Sequence, residues 1–290
     1  MRIALIGPDT SHATAFTKLL NDESHPFHVK GGKVTVMYPF FSSHIPISKN
    51  RVKGFAQTLT EEYNVAVADS LADVMKEADV ACITAVDGDS HLPLFKELSA
   101  YQKPVFIDKP FAHSLADAKA ILKRSEETNT PVMSCSGLRF AESLQASHEA
   151  IQSPLTGVYI RGPLDFEEGI PGYFWYGIHC VEMLVSMIGR SHDKVSVHKT
   201  SSGEMLTFHY QGGQTAIVHL EQDAPFEAVI HTKEGSYYAP IYKDQTPFYS
   251  LLLQEMINFF QTGHSPVSKE EMLCVIECLE EANALREEKK

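Results

Sequence analysis

Long apolar runs are missing from this 290-residue chain. No stretch approaches the roughly 20 residues that a helix needs to cross a bilayer. The opening segment, MRIALIGPDT, turns polar too soon for a secretory leader and reads as a first strand beginning at Arg2. A soluble cytoplasmic protein is expected. Positive charge is also scarce: 25 Lys and Arg stand against 37 Asp and Glu, a formal net charge of −12. That field repels a phosphate backbone, which argues against nucleic acid as a partner and leaves room for a small anion in a local pocket. The five cysteines contain no CxxC pair. Cys82, Cys135, Cys180, Cys274 and Cys278 read as reduced, mostly buried thiols. No HExxH spacing is present, so the commonest zinc-hydrolase pattern is absent.

Apolar residues are plentiful, at 43%, and their arrangement is regular over residues 1–137. Short apolar runs of strand length (RIALIG, KVTVMYPF, VAVA, VACITAV, PVFIDKP, PVMSCSG) alternate with amphipathic helical stretches. Thr10 or Ser11 can cap the first helix, and Ser70 and Ser114 each precede an Asp by three residues in a capping-box-like pattern. Residues 40–50 read as irregular, with a helix following to about Tyr63. Strands that are apolar throughout are covered on both faces, which predicts a doubly wound parallel sheet with ligands at the strands' carboxyl ends.

From residue 138 to 290 the texture changes. A helical stretch leads into the alternating strand GVYIRGPLDFEEG, then into the helix-like run YFWYGIHCVEMLVSMIG. Four strand-like pieces follow (KVSVHKT, EMLTFHYQ, QTAIVHLEQ, EAVIHTKEG), with Gly212-Gly213 as a hairpin turn. Helices at about 247–262 and 268–287 close the chain. This predicts an α+β domain on a mostly antiparallel open sheet, following a dinucleotide-binding domain of residues 1–137.

Three segments together resemble the Gfo/Idh/MocA oxidoreductases. In the block AVDGDSHLPLFKELSAYQKPVFIDKPFAHSLADAKAILKRSEETNTPVMSCSGLRF, Asp108-Lys109-Pro110 stands for the family's Glu-Lys-Pro. FWYGIHCVEMLVSMIG is similar to its D-x-G-x-H-x-x-D helix, and LLLQEMINFFQTGHSPVSKEEMLCVIECLEEA to its C-terminal pair of helices. The resemblance implies a Rossmann domain for NAD or NADP. It also implies a second domain whose open sheet takes a sugar-like or polyol substrate and supports a homo-oligomer.

It further implies roles for particular residues. Lys109 would polarise the substrate oxygen beside the nicotinamide, with Asp108 and Pro110 flanking it and the Lys-Pro bond cis. His179 matches the motif histidine and would act as acid or base. Trp175 replaces the aspartate four residues before it, and Glu182 takes the final acidic position. Trp175, Tyr176 and Glu182 are candidate substrate contacts. Gly7 aligns with the first glycine of G-x-G-x-x-G, while Asp9 and His12 occupy the other two positions. Thr10, Ser11 and His12 could donate to phosphate at the helix N-terminus, or Asp9 could simply cap the helix. His91 matches a family histidine beneath the nicotinamide ribose, and Asp87 and Asp89 are acidic additions beside it, suited to polyol hydroxyls or a metal. Tyr38 ends the second strand where an NAD-preferring fold carries a carboxylate. With Ser42, His44, Lys49, Arg51 and Lys53 following, this leans slightly towards NADP.

Two other readings stand beside the enzyme. One is a sensor that binds sugar or nucleotide without turnover, in keeping with Trp175 and Asp9. The other is a metal-dependent hydrolase or lyase drawing on His179, Glu182, His209, His219 and His231.

Overall fold

The computed structural model describes residues 1–189 and 192–288. Contacts divide the chain into two compact units: residues 1–135 with 249–269, and residues 136–248 with the segment from Glu270 onward.

The first unit alternates β1 (Arg2–Ile6), α1 (Ser11–Asn21), β2 (Lys33–Tyr38), α2 (Pro46–Tyr63), β3 (Ala66–Val67), α3 (Leu71–Glu77), β4 (Val80–Ile83), α4 (His91–Leu98), β5 (Val105–Ile107), α5 (Leu115–Thr128) and β6 (Val132–Ser134). The six strands are parallel, in the order β3-β2-β1-β4-β5-β6. Residues Ile3–Ile6 and Val80–Ile83 are buried along their whole length, as a sheet covered on both faces requires. The order reverses between β1 and β4, the place where such sheets take ligands at their carboxyl ends. Serine caps start two of the helices: Ser70 and Ser114 accept the N–H groups of Asp73 and Asp117. Losing either cap would cost about 1 kcal/mol.

The stretch expected to be irregular through Asn50 ends at Ile45. Pro46 opens α2, because its fixed φ suits a first helical position where the missing N–H is not needed. Lys49, Arg51 and Lys53 therefore stand exposed on a helix rather than in a loop.

The second unit contains α6 (Glu142–Ala150), β7 (Leu155–Pro163), α7 (Gly177–Ile188), β8 (Lys194–Lys199), β9 (Gly203–His209), β10 (Thr215–Glu221), β11 (Glu227–Thr232) and β12 (Ser236–Ala239). Two helices follow, α8 (Phe248–Thr262) and α9 (Lys269–Glu287). The sheet runs β12-β11-β7-β10-β9-β8; β7 and β10 are parallel and every other pair is antiparallel. Alternation along β10 buries Ala216, Val218 and Leu220 and leaves Thr215, Ile217 and His219 half-exposed on the other face. Gly212 and Gly213 turn between β9 and β10 with φ of +89° and +83°. The helix-like run from Tyr173 begins as helix only at Gly177, after a 3₁₀ turn over Gly172–Phe174.

From Tyr249 onward α8 packs with the first unit. Ser250 Oγ donates to the Phe27 carbonyl at 3.3 Å, and a Cβ on Gly31 or Gly32 would stand 2.7 Å from Ile257. No helix among the described residues is long and apolar enough to cross a membrane. All five cysteines are buried and none is in a disulfide.

Candidate active-site residues in the two units

The turn after β1 is built around Gly7. It adopts φ +77°, and a Cβ there would lie 2.6 Å from Ala85 Cβ, so only glycine lets the β1 turn approach the residues after β4. Asp9 points inward from this turn and is 1% exposed. Its Oδ1 accepts the Val86 N–H at 2.9 Å and its Oδ2 accepts Ser48 Oγ at 2.5 Å. Burial pushes its carboxyl up to about 6, against the pull of those two hydrogen bonds. The chain of polar contacts continues. Ser48 Oγ also accepts the Ser42 N–H at 2.8 Å, and Ser42 Oγ donates to Asp87 Oδ2 at 2.5 Å. Asp9, Ser42, Ser48 and Asp87 are all buried. Ser42 and Asp9 are thus tied to one another inside the unit.

His12, in the first turn of α1, is engaged through both ring nitrogens. Nδ1 lies 2.5 Å from Asp108 Oδ2, and Nε2 lies 2.7 Å from the Tyr249 hydroxyl. Asp108 directly follows β5; burial works to raise its carboxyl, but His12 and Lys109 hold it below the usual carboxylate range. Lys109 follows, half-buried, and joins Pro110 by a cis bond. Burial pushes its ammonium down while the charge of Asp108 works the other way. His91 is buried between two carbonyls, with Nε2 2.8 Å from Ala85 O and Nδ1 3.3 Å from Phe111 O. Burial favours its neutral form, and it ties the residues after β4 to those after Pro110. Tyr38, half-buried at the end of β2, offers its carbonyl to the Gly7 N–H at 3.1 Å. Thr10 and Ser11 open α1: Thr10 Oγ1 donates to Thr84 O at 3.4 Å, and Ser11 is exposed.

Asp87, Asp89 and His113 form the one group among the described residues whose ligand atoms converge for a metal, all within 4.8 Å of one another. His113 Nδ1 stands 3.3 Å from Asp89 Oδ1, and its ring lies where a Cβ on Gly88 would be, at 2.7 Å. The strand histidines His209, His219 and His231 enter no such group.

In the second unit, His179 and Glu182 lie one turn apart on α7. His179 is half-exposed, its Nδ1 2.7 Å from Ser136 Oγ, with the rings of Tyr176 and Phe226 edge-on to it at 5.8 Å. Glu182 is buried, 3.3 Å from Arg139 Nε, and Arg139 also donates to Glu271 at 2.6 Å. Burial pushes the Glu182 carboxyl up to about 7 despite Arg139. Its carboxylate faces this buried arginine. Trp175 and Tyr176 are half-exposed, edge to face at 5.9 Å.

Sequence reading passed over Ser136, Arg139, His113 and Tyr249. Ser136 meets His179 43 residues on, and Tyr249 meets His12 237 residues back. No local motif links such partners; only folding does.

A dinucleotide finds suitable groups in the first unit. The glycine turn leads into α1, an eleven-residue helix with no acidic residue in its first turn and no side-chain hydrogen bond from its N-cap, Thr10. Such an end favours a diphosphate through free N–H groups and the helix dipole. Asp9 is turned away from it, into the Ser48 and Val86 contacts, so the group that sequence alignment places against phosphate is engaged inside the unit.

Residues 46–135 match the family model described as an oxidoreductase family with an NAD-binding Rossmann fold. Uncharacterized oxidoreductase YhhX of Escherichia coli K12 is 24% identical over 197 residues, which is 60% of this chain and 57% of that protein. D-apiose dehydrogenase of Rhizobium rhizogenes is 32% identical over 80 residues, 28% of this chain and 23% of that one. These matches therefore span little more than half, and about a quarter, of the relatives' own lengths. Among solved structures, myo-inositol dehydrogenase of Lactobacillus casei, crystallised with NAD(H) and myo-inositol, superposes with a TM-score of 0.76. The identity is 14%, over 100% of this chain and 95% of that one, so the likeness is one of fold.

Proposed function

We propose that this chain, which belongs through residues 46–135 to the Gfo/Idh/MocA oxidoreductase family with its NAD-binding Rossmann fold, is an NAD(P)-dependent dehydrogenase or reductase of a sugar-like or polyol substrate. The observation that carries the reading is Lys109. It is a half-buried lysine at the carboxyl end of β5, directly after a buried carboxylate, in a sheet of dinucleotide-binding order. Bound dinucleotide supplies the hydride acceptor or donor; the N-terminus of α1 holds its diphosphate, with Gly7, Thr10 and Ser11 closest in sequence. Lys109 polarises the substrate oxygen, an effect strengthened where water is excluded. In the second unit His179, its Nδ1 2.7 Å from Ser136 Oγ, is the candidate acid or base. Trp175 and Tyr176 offer an aromatic wall to a sugar face. Asp89, exposed beside His113, suits a polyol hydroxyl, whereas Asp87 is buried and engaged by Ser42.

Relatives named for D-apiose and myo-inositol support the substrate class. The absence of a carboxylate at Tyr38 favours NADP slightly over NAD. Half-exposed Met205, Ile217 and Val229 on the open face of the second sheet support pairing with another copy of the chain. A sensor that binds without turnover is the second reading, favoured by Trp175 in the place of an acid.

The test incubates the protein with NAD⁺ or NADP⁺ and, in turn, myo-inositol, D-apiose and a panel of aldoses, following reduced nicotinamide by absorbance. Turnover that falls about 10²- to 10⁴-fold in Lys109→Met upholds the reading. Dinucleotide binding without turnover of any of them moves the assignment to the sensor.

A further inference from the structure

Three buried or half-buried groups from distant parts of the chain line up in the first unit. Asp108 Oδ2 stands 2.5 Å from His12 Nδ1, and His12 Nε2 stands 2.7 Å from the Tyr249 hydroxyl. The His12 and Tyr249 rings are edge-on at 5.0 Å, and Phe16 packs against both, at 5.6 and 5.5 Å. His12 and Asp108 are buried; Tyr249 keeps part of its surface open. A carboxylate that fixes an imidazole, whose other nitrogen meets a hydroxyl, is the arrangement that activates hydroxyl groups in unrelated enzymes. In the tautomer whose Nδ1–H donates to Asp108, Nε2 accepts from the phenol.

We infer that Asp108, His12 and Tyr249 form an acid–base triad in which Tyr249, rather than His179, is the catalytic group that exchanges the substrate's hydroxyl proton, His179 serving as a hydrogen-bond partner of the substrate. His12 and Asp108 act through Tyr249 as positioning and proton-holding residues. This rests on the proposed oxidoreductase function. In the oxidative direction the substrate O–H proton passes to Tyr249 Oη as the phenol's own proton passes to His12 Nε2. The two electrons leave the carbinol carbon as hydride to the oxidised dinucleotide, and C–OH becomes C=O. The resulting imidazolium is balanced by Asp108, and the reverse sequence serves reduction. The arrangement also explains why an imidazole stands where the glycine pattern has its third glycine, and it provides an acid in a chain whose α7 motif carries Trp175 instead of one. The triad's carboxylate immediately precedes Lys109, so the end of β5 carries both the electrostatic group and the carboxylate that holds His12.

Two measurements test this. An aryl sulfonyl fluoride labels activated phenols, and peptide mapping reads the rate at each of the 11 tyrosines. Tyr249 should be labelled ahead of the others, and at least about tenfold more slowly in His12→Gln and in Asp108→Asn. In the polyol assay, Tyr249→Phe should lose about 10²- to 10⁴-fold in kcat with KM and dinucleotide affinity little changed. Adding His12→Gln to it should cost almost nothing more, because residues acting as a unit are not additive. Wild-type turnover by Tyr249→Phe, or labelling indifferent to His12→Gln, overturns the triad and leaves the oxidoreductase reading standing. Failure to bind either dinucleotide overturns that reading, and the triad's role with it.

Discussion

Replacing Asp9 with asparagine tests the inward orientation of the altered phosphate turn. The Asp9 carboxyl is pushed from 3.8 to about 6, chiefly by burial. A carboxyl whose folded pKa is raised holds its proton more tightly in the folded state. Its contribution to stability is therefore complete below about pH 4 and is lost as pH rises through about 6. About two pK units correspond to about 3 kcal/mol, an upper figure for a group that is not wholly sealed from water. The amide introduced by Asp9→Asn is isosteric with the carboxyl. Its oxygen still accepts from Val86, and its nitrogen can donate to Ser48 Oγ, so the geometry survives while the buried charge disappears. Urea unfolding of wild type and Asp9→Asn at pH 4, 5, 6 and 8 should give nearly equal stabilities at pH 4. The variant should gain an advantage that grows to about 2–3 kcal/mol by pH 8. An advantage unchanged across that range, or a variant weaker at pH 8, would refute the assignment of a buried, reluctantly ionised carboxylate.

Other consequences follow from the same contacts. Gly7→Ala forces a Cβ to 2.6 Å from Ala85 at a positive φ, and thermal unfolding should show a loss of about 2–4 kcal/mol. Arg139→Met leaves Glu182 buried without its cation. Denaturation at pH 8 should show about 3–5 kcal/mol lost, shrinking below pH 7 as Glu182 takes up its proton and largely recovered in Arg139→Met/Glu182→Gln. Ser136→Ala removes the hydroxyl at His179 Nδ1, and steady-state kinetics should show kcat reduced about tenfold with KM nearly unchanged, the scale of one hydrogen bond.

The fold was largely legible because its signals are local. Continuous apolar strands, serine caps at Ser70 and Ser114, and the glycine pair at 212–213 each depend on neighbours a few residues away. The expected start of α2 was late because a loop rich in Ser and His masked the helix that Pro46 begins. β12 went unread because SYYA carries little alternation. The candidate site was legible only in part, for a physical reason. The type of a residue fixes what chemistry it can do, but its orientation depends on partners far along the chain. Asp9 reads as a repulsive charge at a phosphate turn until Ser48 and Val86 draw it inward. His12 reads as a phosphate donor until Asp108 and Tyr249 occupy both its nitrogens. Glu182 reads as a replacement for Asp at the substrate until Arg139 meets it in the interior.

The most direct test is calorimetric titration of the protein with NADH and, separately, with NADPH. The account predicts saturable one-site binding of at least one of them, with a dissociation constant of about 1 μM to 1 mM, the range in which enzymes meet such ligands. NADPH should be the tighter if the missing carboxylate after β2 decides the preference. No heat of binding for either dinucleotide, confirmed by equilibrium dialysis, would contradict the assignment.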